Sequence, residues 1–256
     1  MTNPTTNTDT TTENATENAT ETTVAPVPPP PVVVLQVWSD LLCPFTHVAL
    51  HELRAARAAL AAGDPARDVQ LEHHAFPLEL FNGPHPRRST DTEAVALGQF
   101  APGAGFRVWT APEDLYPHTV LLAAEAVLAA GAQSRPAAEA LDAALRAAFW
   151  TRSRSIAHRA VVLEVASEVS GDVNLDVTEL TDALDHGRHR HELMRDYAFA
   201  QTDAIPTSPT FVLPDGSIRA NPGITVHWEG PWAAGYPIVD SFDPAAYLDL
   251  LRDSAH

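Results

Sequence analysis

The stretch Val32–Ala62, VVVLQVWSDLLCPFTHVALHELRAARAALAA, decides how this chain is read. Val32 to Trp38 is apolar at all but Gln36 and rich in β-branched valine, which is the length and composition of a buried strand, and Ser39-Asp40 supplies turn-forming side chains at its end. After Leu41-Leu42 and Cys43-Pro44-Phe45-Thr46, apolar residues return at helical spacing: Val48, Leu50, Leu53, Ala56 and Leu60. The predicted local structure is strand, tight turn, helix.

Pro44 suits the first helical position, where a missing N–H costs nothing and the fixed φ is already helical, so Cys43 is predicted at or beside the N-cap. Unpaired backbone N–H groups and the positive end of the helix macrodipole favour a thiolate there. Such positions lower a cysteine pKa to roughly 3.5–7.5, against about 8.5 for a free thiol. Thr46, three residues on, shares the helix face and brings a hydroxyl towards the sulfur. A cationic His47 beside it would act in the same direction. The competing reading makes Cys43 a small buried hydrophobe; the Cys-Pro step after a strand weighs against it.

Composition removes several function classes. The 256 residues carry a net charge of −17, and all 16 basic residues are arginine, so neither nucleic acid nor an anionic membrane surface is an expected partner. Arginine without lysine, together with abundant alanine, suggests a GC-rich coding genome. One cysteine excludes an internal disulfide framework. The most apolar segment, Val120 to Ala130, is too short to span a bilayer and is interrupted by Glu125. With no basic region and apolar core at the start of the chain, the expected location is cytoplasmic.

Residues 1–31 are Thr/Asn/Glu-rich and end in VAPVPPPP, a composition that cannot bury enough surface to offset its ordering entropy; a disordered tail with a stiff polyproline hinge is expected. After the first helix, Asp68 to Phe76 alternates as a second strand, so that strand, helix and strand form a right-handed parallel unit. Helical patterns then run to about Gln201: Thr90–Phe100, Pro112–Ala130, Pro136–Trp150, Ile156–Val169, Val177–His186 and His189–Thr202. Strand patterns return at Ile205–Leu213, turn at Pro214-Asp215-Gly216-Ser217 and continue at Ile218–Ala220. A closing helix is predicted over Phe242–Arg252, with Asp243 as N-cap and Pro244 at its first position. An aromatic, Gly/Pro-rich loop holding Trp228, Trp232 and Tyr236 precedes it, long enough to act as a lid over the cysteine.

This order resembles the DsbA-like branch of the thioredoxin fold, and within it the cytoplasmic members related to 2-hydroxychromene-2-carboxylate isomerases and kappa-class glutathione transferases. SDLLCPFTHVAL (Ser39–Leu50), HHAFPLEL (His73–Leu80) and AIPTSPTFVLPDG (Ala204–Gly216) carry the resemblance. It implies an α/β, thioredoxin-like fold with a large α-helical insertion: residues 32–76 and 203–256 form the thioredoxin-like domain, and residues 77–202 the insertion. It also implies that Cys43 is the nucleophile of a Cys-Pro-Xaa-Cys motif, that Pro209 is a cis-proline facing it, and that the backbone of Ser208 pairs with the incoming thiol or peptide. Thr46 is then a catalytic partner, and Pro44, Phe45 and Thr210 flank the substrate.

The chain departs from that pattern at Thr46, which replaces the second motif cysteine. A dithiol enzyme resolves its mixed disulfide internally. This chain cannot, so redox chemistry here is monothiol, with an external small thiol such as glutathione or mycothiol as co-substrate and no bound cofactor. The substrate is a small-molecule thiol or a protein disulfide. A transferase-like or isomerase-like enzyme and a non-catalytic binding module are the alternatives on the same scaffold.

Twelve histidines raise the question of a metal. The densest group, His186, His189 and His191, is interleaved with arginines and reads as a solvated helical face rather than a ligand set. His73 and His74 are expected on opposite faces of their strand, so that at most one reaches a cleft. The tryptophans Trp109, Trp150, Trp228 and Trp232 read as packing residues.

Overall fold

The structure, a computed structural model, describes residues 32–63, 68–231 and 234–254. The tail and polyproline segment, and Trp232, lie outside the described residues. In chain order the elements are β1 (Val32–Ser39), α1 (Pro44–Gly63), β2 (Asp68–Ala75), α2 (Leu78–Asn82), α3 (Arg87–Gly98), α4 (Leu121–Gln133), α5 (Arg135–Trp150), α6 (Arg159–Val173), α7 (Val177–Asp185) and α8 (Arg190–Ala200). They continue with β3 (Thr210–Val212), β4 (Ile218–Ala220), β5 (Ile224–Glu229), β6 (Tyr236–Phe242) and α9 (Ala245–Asp253).

Four strands form one sheet in the order β2-β1-β3-β4. β1 and β2 run parallel with Val32 opposite Asp68 and Ser39 opposite Ala75, while β3 pairs antiparallel on the other side of β1, Val37 facing Phe211. The first strand is thus central, and the turn after it opens beside the start of β3. Leu35, Val37, Leu50, Leu53, Leu71, Phe211, Tyr247 and Leu251 pack between the sheet, α1 and α9. A second core is built almost wholly from α4 to α7 and reaches back to Leu41 and Leu42 in the turn before α1. The helical block therefore packs directly onto the segment that carries the cysteine.

Three sequence expectations differ from the structure. The helix predicted from Pro112 begins only at Leu121; Pro117 lacks an amide donor and forces Tyr116 into extended backbone (φ −62°, ψ 129°), leaving a single 3₁₀ turn at Glu113–Leu115. The strand predicted over Ile205–Leu213 contracts to Thr210–Val212, because Pro206 and Pro209 cannot donate to a ladder. The aromatic loop is largely a hairpin. In β5, Ile224, Val226 and Trp228 turn inward in alternation with exposed Thr225, His227 and Glu229, a period-two signal legible in the sequence. Ile224, Val239 and Phe242 join Val48, Leu97 and Ala101, so the hairpin is seated on α1 and α3 rather than hanging free as a lid.

Capping follows side-chain chemistry. Asp176 accepts from the N–H groups of Thr178 and Glu179 at the start of α7, as its position predicts, and Ser134 does the same for Ala137 in α5. His186 and His189 pair with Asp182 and Glu192, and among the described residues no group of three or more ligating side chains is placed to hold a metal ion. No helix among the described residues is long and apolar enough to cross a membrane.

Candidate active site

Cys43 directly precedes α1, and Pro44 is the first residue of that helix. The Cys43 N–H donates to the Asp40 carbonyl (3.2 Å), and the Cys43 carbonyl accepts from the N–H of His47 (3.2 Å), so the cysteine joins the turn to the helix. Across from it the Ser208–Pro209 peptide bond is cis. The Cys43 thiol donates to the Ser208 carbonyl at 3.1 Å. Ser208 Oγ lies 3.0 Å from Thr46 Oγ1 and accepts from the Asp40 N–H at 3.0 Å. Four of the residues named from sequence, Cys43, Thr46, Ser208 and Pro209, thus meet at one point.

The other three sit at its edges. Pro44 is buried in the first turn, and half-buried Phe45 leans on the cluster formed by Val48, Leu97 and Ile224. Thr210 is fully buried and donates its hydroxyl to the Thr207 carbonyl (2.7 Å), closing the bend around Pro209.

The electrostatics correct the sequence reading. Burial pushes the Cys43 thiol up from its ordinary value, because a thiolate there would lose its water. Hydrogen bonds from the Ser208 hydroxyl and from the hydroxyl and N–H of Thr46 oppose this, whereas the charge of Asp40 adds to it. The helix terminus is where the sequence puts it, but the cysteine is only 2% exposed and desolvation is the largest effect. His47 is no cation either. Its Nε2–H donates to the Ala104 carbonyl (2.9 Å), its ring packs against Phe106 and Trp150, and burial holds its pKa at about 4.

Because that pKa is depressed below the unfolded value, His47 contributes stability above pH 6.5 that is lost as pH falls towards 4. His47→Gln is expected to flatten this part of the stability profile, measured as urea midpoints between pH 7 and pH 4. Identical slopes in the two proteins would contradict it.

The sequence marks Ser39-Asp40 as turn-forming but not the contacts that hold the turn. The buried Asp40 carboxylate accepts from the N–H of Leu42 (2.6 Å) and of Leu78 (2.8 Å), tying the turn to the start of α2, and burial raises its pKa. From α5, fully buried Arg146 donates to the Asp40 carbonyl (2.8 Å) and to Ser39 Oγ (3.0 Å) while its fork grips both oxygens of Asp142. One helical turn on, Trp150 Nε1 donates to the Leu41 carbonyl (3.2 Å). Asp142, Arg146 and Trp150 are spaced four apart along one helix face, but nothing local in the sequence shows what that face meets.

The signature of the DSBA-like thioredoxin domain matches residues 34–226. Among solved structures the chain is similar to the cytosolic disulfide reductase DsbM from Pseudomonas aeruginosa, with 20% identity, 87% of this chain and 95% of that chain covered, and a TM-score of 0.53. It is similar also to a probable DsbA oxidoreductase from Streptomyces coelicolor, at 18% identity over 87% of this chain and 90% of that one, with a TM-score of 0.59. A 2-hydroxychromene-2-carboxylate isomerase matches at 15% identity over 73% and 87% of the two chains, with a TM-score of 0.50. No curated protein sequence matches. The resemblances in fold and the signature across three quarters of the sequence agree with the arrangement of β1, α1 and the Pro209 bend: this chain belongs to the DSBA-like thioredoxin family.

Proposed function

We propose that this protein is a thiol-disulfide oxidoreductase that works through Cys43 alone and uses an external small thiol, glutathione or mycothiol, as co-substrate. The observation that carries the reading is the contact of the Cys43 thiol with the carbonyl of Ser208, at the bend where a partner backbone would pair. The sulfur donates to an acceptor that an incoming peptide or thiol would also use. Once a substrate N–H takes over the Ser208 carbonyl, the thiol loses its partner. Thr46 Oγ–H and N–H are then positioned to stabilise the thiolate.

In the first step the Cys43 thiolate attacks one sulfur of a disulfide; a Cys43 mixed disulfide forms and the other sulfur leaves as thiolate, taking up a proton. In the second, the thiolate of the small thiol attacks the mixed disulfide, regenerates Cys43 and departs as a new disulfide. No oxidant or reductant beyond the two substrates is required. The chain has no other cysteine, so the second thiol comes from outside.

The burial of the sulfur favours a second reading, a groove that binds without chemistry. Alkylation of Cys43 by iodoacetamide, followed against pH beside turnover of a glutathione–peptide mixed disulfide, separates the two. The thiol of the free protein is expected to titrate above the ordinary value of about 8.5, so alkylation rises towards alkaline pH. Turnover is expected at neutral pH because substrate displaces the Ser208 contact. Slow alkylation with no turnover would leave the binding module, and conjugation without disulfide turnover would favour the transferase.

A further inference from the structure

β2 is an edge strand, and a groove of about 340 Å³ runs beside it between the ends of α4, α5 and α8. Both His73 and His74 line this groove, contrary to the expectation from strand alternation, because an opening along a sheet edge is reached from both faces. His73 is more than nine-tenths buried, yet neither ring nitrogen has a hydrogen-bond partner. Its Nδ1 lies 3.9 Å from Asp142 Oδ1, beyond hydrogen-bond length, and that carboxylate is held by Arg146. Leaving a buried polar group unpaired costs about 1–3 kcal/mol. Burial keeps the ring neutral, with a pKa of about 4, so it presents one N–H and one bare nitrogen.

Two charged groups in the same groove have no protein partner among the described residues. Glu72 on β2 and Arg135 at the start of α5 are both half-buried, and among the described residues neither side chain has an ion-pair or hydrogen-bond partner, including each other. Glu192 adds a second carboxylate at the rim, shared with His189. A carboxylate and a guanidinium that line one groove without pairing with each other match a ligand that carries both complementary charges.

We propose that this groove binds a small zwitterion with the head group of a free α-amino acid. Its carboxylate is taken by Arg135, its ammonium by Glu72, and His73 completes the hydrogen bonding from the floor. A carboxylate seats on a guanidinium through paired hydrogen bonds, which explains an arginine at this point. The site is independent of Cys43.

The test is calorimetric titration of the full chain with L-alanine and L-glutamine, alongside N-acetyl-L-alanine, which lacks the ammonium, and L-alaninamide, which lacks the carboxylate. At least one free amino acid is expected to bind with one-to-one stoichiometry, and both derivatives about tenfold or more weakly. Arg135→Ala and Glu72→Gln are each expected to weaken binding by about tenfold or more, the loss of a charge-assisted contact, without lowering the melting temperature. Absence of binding at millimolar concentration would overturn the proposal. So would equal binding of the blocked derivatives, or binding that survives either substitution.

Discussion

Cys43→Ser is expected to abolish the proposed disulfide exchange, reducing turnover of the glutathione–peptide mixed disulfide by about 10³-fold or more, to the solution rate, because a hydroxyl forms no mixed disulfide. The fold is expected to survive. A serine hydroxyl donates to the Ser208 carbonyl as the thiol does at 3.1 Å, and the surrounding hydrogen bonds of Asp40, Thr46 and Ser208 remain. Stability measured by denaturant should therefore change by about 1 kcal/mol or less. Mass spectrometry gives a direct readout: wild type accumulates a single glutathione adduct when substrate exceeds free thiol, and the serine variant does not. Turnover undiminished in the serine variant would refute the mechanism, and conjugation retained with disulfide exchange lost would assign the chain to the transferase reading.

Arg146→Met has the largest expected effect on stability, a loss of about 3–5 kcal/mol, because it leaves the Asp142 carboxylate buried and uncompensated. Three links fail together: the fork to Asp142, the bond to the Asp40 carbonyl and the bond to Ser39 Oγ. The Asp40 carbonyl also accepts the N–H of Cys43, so the turn that presents the sulfur loosens with it. Arg146→Lys keeps the charge but not the planar fork, and should fall between the two. The double change Arg146→Met, Asp142→Leu removes both charges and should recover much of the loss, since a buried pair replaced by apolar groups is often neutral. Urea midpoints for the four proteins decide this; a single Met variant within about 1 kcal/mol of wild type would show that the pair is not what holds the turn.

The identity and order of most elements were legible because their causes are local. A β-branched run produced β1, the Cys-Pro step marked the start of α1, and Asp176 ahead of Thr178 and Glu179 marked that of α7. Where local signals compete, the sequence misleads: Pro117 breaks a helix whose apolar spacing looks continuous, and the legible alternation of Ile224, Val226 and Trp228 sits among glycines and prolines that read as a loop. The resemblance names Phe45 and Thr210 as flanking the substrate, and the structure puts one against a hydrophobic cluster and the other in the bend.

By itself the sequence determined that one sulfur stands at the start of a helix after an apolar strand and that no second sulfur can resolve it; both follow from chain connectivity and residue type. That the Ser208-Pro209 bend lies opposite was implied by the family resemblance alone. Only the tertiary structure decided the state of that sulfur, because desolvation depends on every group around it: Cys43 is withdrawn from water with its thiol turned to the Ser208 carbonyl, and burial raises its pKa against the hydrogen bonds of Ser208 and Thr46. The same is true of Arg146 and His73: the turn groups that Arg146 reaches lie 105 or more residues away in the chain, and the lack of a partner at His73 arises between a sheet edge and three helices.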